Sequence, residues 1–138
     1  MRPFFVTNPD REFSVEEQSI VSSFQNANVS NPGHSTLILW RDAEQMINAY
    51  AALPDPVELK NHYGKIDGYN FDLDDLQVLI DPTTSGLTYP KADQFCVYFA
   101  LNRGDLTIVI ARVDSNNYVI KDFALEYCDP CPPSCAIR

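Results

Sequence analysis

The chain is expected to fold as an α+β domain, with N-terminal helices packed on a C-terminal three-stranded antiparallel β-meander. Three observations lead there. Residues 93–127 hold three runs rich in β-branched and aromatic residues, separated by Arg103-Gly104 and by Ser115-Asn116. Helix-start signals recur ahead of them, at Ser14, Asp42, Asp55 and Asp72. The helices come first and the strands last, which is the order of an α+β fold rather than of alternating βαβ units.

A length of 138 residues suits one domain spanning 1–138, with a core of useful size. Residues 1–12 read as an N-terminal arm, and 128–138 as a tail rich in Cys and Pro. A hydrophobic content of 45% argues against wholesale disorder. The longest purely apolar run, 95–101, is too short to cross a bilayer. The first residues offer too short an apolar stretch for a signal peptide, so the expected compartment is the cytoplasm. A net charge of −9 opposes binding to nucleic acid and to anionic membranes. It admits a basic partner protein, although acidity for solubility alone is the commoner explanation.

The elements follow in order. Ser14-Val-Glu-Glu17 is a capping box, and Ile20, Val21, Phe24 and Ala27 then share one helical face. Residues 28–35 contain Asn-Pro-Gly and read as a loop. Residues 36–40 fit either a short strand or the first turn of the next helix. Asp42 is the expected cap of that helix, with Ala43, Met46, Ile47 and Tyr50 as its apolar stripe. Leu53-Pro54 ends it. Asp55-Pro-Val-Glu58 predicts another helix, short and stopped by Gly64. Asp72 is the expected cap of a last helix with Leu73, Leu76 and Ile80 inward, and 81–92 connects it to the sheet.

The strands are predicted at 93–101, 105–113 and 117–127. Tight turns at Arg103-Gly104 and Ser115-Asn116 set the register, because Gly and Asn tolerate positive φ. Leu101 should then face Leu106, Phe99 face Ile108 and Val97 face Ile110. Across the second hairpin, Ile108 should face Phe123 and Leu106 should face Leu125. Side chains alternate between the two faces of a strand. One face therefore gathers Phe95, Val97, Phe99, Leu101, Leu106, Ile108, Ile110, Val119, Phe123 and Leu125 as the expected core, with Phe99 and Ile108 nearly fully buried.

Candidate chemistry concentrates in the tail. Cys128, Cys131 and Cys135 place three thiols in eight residues, which in a cytosolic protein suggests a metal before a disulfide. Zinc wants four ligands, and Cys96, His34 or His62 would have to complete the set. The strand register puts Cys96 opposite Ala111 and Ile120, far from Cys128. Cys-Asp-Pro-Cys echoes a redox motif, but prolines replace the helix that would lower a thiol pKa. An extended polyproline-like tail with ordinary thiols and no bound metal is the favoured expectation. Asn70, Asp72, Asp74 and Asp81 imitate calcium-loop spacing, but Asp75 stands where the turn needs Gly. No nucleophile–base pair can be named, so the sequence leans away from an enzyme.

The helix at 42–50, the strand pair at 97–101 and 106–114, and the ending Cys131-Pro-Pro-Ser-Cys135 resemble a group of small uncharacterised bacterial proteins ending in Cys-Pro-Pro-x-Cys. The resemblance covers roughly the last two thirds of the chain, implies the architecture and carries no activity. Cys128 is not part of the shared ending, and the helix at Ser14 is an addition to it. The expectation is a binding or interaction module of otherwise unknown function. A metal- or thiol-dependent role for the tail, and an acidic inhibitor or immunity-type role against a basic enzyme, are its alternatives.

Overall fold

The computed structural model describes residues 12–26, 35–54, 60–61, 64–65, 68–70, 72–127 and 129–131. The fold is α+β. In chain order it runs α1 (Val15–Asn26), β1 (Ser35–Leu39), α2 (Trp40–Ala51), β2 (Lys60–Asn61), β3 (Gly64–Lys65), β4 (Gly68–Asn70) and α3 (Leu73–Ile80). A 3-10 turn (Pro82–Ser85) then leads to β5 (Gln94–Asn102), β6 (Asp105–Val113), β7 (Val119–Tyr127) and β8 (Asp129–Cys131). The main sheet is antiparallel in the order β1-β7-β6-β5. It contains the expected meander, extended by β1 on the β7 side. Two small ladders, β2 with β3 and β4 with β8, stand apart from it.

Ser14 starts α1 as the capping box predicts. The Glu17 N–H donates to Ser14 Oγ at 3.1 Å, and the Ser14 N–H donates to Glu17 Oε1 at 3.0 Å. Glu17 also holds Arg41 of α2 at 2.9 Å, so the cap ties two helices together. Ile20 and Val21 turn inward and are buried. The Phe24 side chain and Ala27 lie outside the described residues.

The ambiguity at 36–40 resolves as a strand that passes straight into a helix. Thr36, Leu37, Ile38 and Leu39 are all buried, and β1 pairs along its length with β7. The helix therefore begins at Trp40, two residues before the expected cap, and no side chain caps it. Asp42 lies in the first turn, buried, where a carboxylate meets the positive end of the helix dipole.

The helix predicted after Asp55 is overturned at its C-terminal half. Lys60 pairs with Lys65 and Asn61 with Gly64 as a small antiparallel ladder. A helix of about two turns carries an unfavourable nucleus. Gly64, the expected helix stop, lies instead in β3, and Gly68 opens β4. Asp55 itself lies outside the described residues.

Helix α3 forms where expected, with Asp72 at the N-cap position, but it is rolled about its axis. Leu73 is 76% exposed and Ile80 is exposed, while Asp72, Asp75, Val78 and Leu79 are buried. The inward face is set by Val78 and Leu79, which join Leu37, Leu39, Leu87, Ile110, Phe123 and Leu125 in the larger core cluster. Two buried carboxylates on that face disguise it as polar in the sequence.

The first hairpin has the predicted register, Phe99 opposite Ile108 and Val97 opposite Ile110. The second does not. Val113 pairs with Val119 across a loop, with Asn117 at φ 67° and Asp114 Oδ1 accepting from the N–H groups of Asn116 and Tyr118. An irregularity between Ala111 and Val113 then advances β7, so Ile110 faces Leu125 and Cys96 lines up with Ala111 and Ala124. Leu125 moves from Leu106 to Ile110, an even shift, so it stays on the core face.

The expected core face is right for Leu106, Ile110, Phe123 and Leu125. Ile108, expected nearly fully buried, is only half-buried, as are Leu101 and Val119, and the expectation is wrong for Phe95, Val97 and Phe99. Phe95, Val97 and Phe99 are 39%, 57% and 49% exposed. The reason is the sheet order. Helices α1 and α3 lie against β7 and β1, and leave the face of the edge strand β5 at the margin. The opposite face carries a second core of Ile38, Ala43, Met46, Ala100, Val109 and Ala124, closed by α2.

Candidate functional site

The tail is the first place to look. Its beginning is not a free polyproline-like extension, because β8 folds back on β4. Gly68 pairs with Cys131, Tyr69 with Pro130 and Asn70 with Asp129. Cys128, Cys135 and the Cys131 side chain lie outside the described residues, as do His34 and His62. Cys96 is a half-buried free thiol. Among the described residues no group of three His, Cys, Asp or Glu side chains is placed to hold a metal. Asp72 and Asp81, from the calcium-like spacing, occupy helix-start positions instead. Asp81 Oδ1 accepts from the Thr83 N–H at 3.1 Å and from Thr83 Oγ1 at 2.5 Å, and these bonds hold its carboxyl below the usual range.

Two buried polar groups were not singled out in the sequence. Arg112 is fully buried on the face covered by α3. Its Nη1 donates to both carboxylate oxygens of Asp122, at 2.7 and 2.6 Å. Its Nε donates to the Leu79 carbonyl at 3.0 Å, and Nη2 donates to the Pro90 carbonyl. The Phe123 ring lies under the guanidinium, 4.5 Å from its carbon. One side chain thus ties the last turn of α3, the connection into the sheet and the irregular start of β7. Its donors are engaged with the protein, so it is a structural pin rather than a ligand site.

Glu126 is the second. It is buried in β7, and its Oε1 accepts from Asn102 Nδ2 at 2.9 Å and from Thr107 Oγ1 at 3.3 Å. Tyr69 lies nearby and donates its hydroxyl to the Leu106 carbonyl at 2.6 Å. Burial, then the charges of Glu126 and Asp105, push the Tyr69 pKa up to about 12. A neutral phenol that is already donating, beside a carboxylate that is already accepting, gives no free acid or base. The sequence signal for both groups was a charged residue set in an apolar strand, since Arg and Glu are rarely buried without partners.

What remains open is the outer strand. β5 pairs with β6 on one side, and among the described residues no strand pairs with its other side. Its nine residues carry no charge, no Pro and no Gly. Natural edge strands of that length are usually blunted by Lys, Pro, a bulge or a covering loop. Phe95, Val97 and Phe99 form a half-exposed apolar row along it, and the Tyr50 ring of α2 lies 5.6 Å from that of Phe99. Cys96, Tyr98 and Ala100 alternate with this row, more deeply set, on the face that α2 covers. An edge of this kind offers backbone hydrogen bonds and apolar side-chain contacts together, the two elements of recognition by strand addition.

Among the described residues no helix is long and apolar enough to cross a membrane. In comparisons with known proteins, no family model, curated protein or solved structure matches the chain.

Proposed function

We propose that this chain is a protein-binding module whose contact surface is β5, acting in the cytoplasm, where thiols such as Cys96 stay reduced. One observation carries the reading: a long, uncharged edge strand on which Phe95, Val97 and Phe99 form a half-exposed apolar row. Monomeric proteins seldom leave such an edge uncovered, because it templates pairing with any available strand. The buried polar groups support the same reading from the other side, since Arg112 and Glu126 are spent on holding the fold.

A photo-reactive amino acid at position 97, in place of Val97, tests this in cells. Cross-linked adducts should form there well above the yield from the same group at Tyr118, which is 71% exposed but lies in a loop outside the edge. Equal yields at the two positions would remove β5 as a contact surface.

A further inference from the structure

We propose that β5 pairs with β5 of a second copy of this chain, antiparallel and centred on Tyr98, so that two sheets join into one. The proposal rests on the reading of β5 as a contact surface and names the partner.

The backbone parity sets which groups are available. Asn102 and Asp105 flank the turn Arg103-Gly104, whose φ values are 52° and 84°. Two positive φ values close a two-residue hairpin, and the flanking pair is then hydrogen-bonded. Counting back in twos, Gln94, Cys96, Tyr98, Ala100 and Asn102 turn their N–H and C=O toward β6. Phe95, Val97, Phe99 and Leu101 turn theirs outward. Centring the pairing on Tyr98 sets Val97 opposite Phe99 of the second copy, and Phe95 opposite Leu101. Every outward group in that row meets another outward group, and the two apolar rows lie side by side on one face of the joined sheet.

The charges at the ends select this register. β5 is flanked by Asp93 and Arg103, both exposed. They lie just beyond the two ends of the strand, Asp93 held to β6 by its N–H on the Val113 carbonyl at 3.0 Å and Arg103 in the turn. Centred on Tyr98, the pairing brings the side chain of Asp93 of each copy toward that of Arg103 of the other, twice by symmetry. Side-chain direction allows only even slips. The slip centred on Val97 brings Arg103 to the exposed Lys91, a like-charge pair at each end. The slip centred on Phe99 carries Asp93 past the end of the hairpin and loses the pair. The strand interior has no charge that opposes the contact, despite the net charge of −9. A single strand pair is a small interface, so the dimer is weak and concentration-dependent.

Sedimentation of the full chain, from about 10 µM to about 1 mM, tests it. The expected result is a monomer–dimer equilibrium. Val97→Pro removes an N–H that β6 does not use, and should weaken dimerisation at least tenfold with the far-ultraviolet dichroism unchanged. Val97→Lys should do the same through an already exposed side chain, and serves if the proline variant fails to fold. Asp93→Arg should weaken the dimer, and Asp93→Arg with Arg103→Asp should restore it. In a Cys96→Ser background, Tyr98→Cys should give a disulfide between the two introduced thiols, because a central pair that is not hydrogen-bonded brings the α-carbons close. A monomer at every concentration, or a dimer indifferent to Val97→Lys, overturns self-pairing. If adducts at position 97 then join this chain to a different protein, the contact surface stands and only the self-pairing fails.

Discussion

Arg112 shows how much one side chain can carry. It is fully buried, yet each of its three nitrogens donates: Nη1 to the Asp122 carboxylate, Nε to the Leu79 carbonyl and Nη2 to the Pro90 carbonyl. The Leu79 carbonyl belongs to the last turn of α3, where carbonyls lack intrahelical partners. Arg112→Met should therefore cost about 3–5 kcal/mol in urea unfolding, since it leaves the Asp122 charge and two carbonyls without their donor. Arg112→Lys should not rescue most of this, because one ammonium cannot span three acceptors in a plane. A loss below about 1 kcal/mol for either variant would show that water replaces the guanidinium there. Tyr69 predicts a pH effect of definite sign. Its folded pKa is raised to about 12 from an ordinary value of 10.0. The stability linked to the neutral phenol is complete below about pH 10 and is lost as pH rises toward about 12. Thermal unfolding of Tyr69→Phe across that window should fall less steeply with pH than that of the unaltered chain; parallel curves would contradict the assignment.

At the scale of elements, local signals were legible where local chemistry decides. The capping box at Ser14 is the clearest case, with both reciprocal bonds present. Ser14→Ala should cost roughly 0.5–2 kcal/mol by thermal or urea unfolding, a cost that vanishes if the helix can slide its start by a residue. The Arg103-Gly104 turn and the whole β5–β6 register were equally readable, because a two-residue turn leaves no freedom of count. Elements set by distant partners were not. The roll of α3 depends on Arg112 and on where Val78 and Leu79 find Phe123 and Leu125, none of it encoded within the helix. The β7 register depends on a loop that Asp114 organises and on the irregularity that admits Arg112, so a count from Ser115-Asn116 missed it. The exposed row on β5 was invisible for a related reason. Alternation identifies a face as apolar but cannot say which strands of that face the helices reach. Burial of Phe95, Val97 and Phe99 was expected from their pattern, and their exposure is what marks the surface.

At the scale of the molecule, the pairing of β1 with β7 joins the two halves of the chain. Ser35 pairs with Tyr127 and Leu39 with Phe123, so the N-terminal strand forms one wall of a sheet completed at the C-terminal end. Both core clusters draw on both halves: Leu37 and Leu39 with Phe123 and Leu125 in one, and Ile38 and Ala43 with Val109 and Ala124 in the other. Neither half can bury its apolar surface without the other, so the chain should unfold in a single transition. Trp40 is the only tryptophan and sits at the junction of β1 and α2, which makes its fluorescence a reporter of the N-terminal half. Far-ultraviolet dichroism is weighted instead toward the whole secondary structure, including the long strands of the meander. Followed through urea, the two signals should give the same midpoint and the same slope within error. A Trp40 transition at lower urea would mean that β1 and α2 detach while the meander survives. In that case β7 would replace the buried β1 as the far edge of the sheet and become exposed, and association should grow in the same urea range, where sedimentation can detect it.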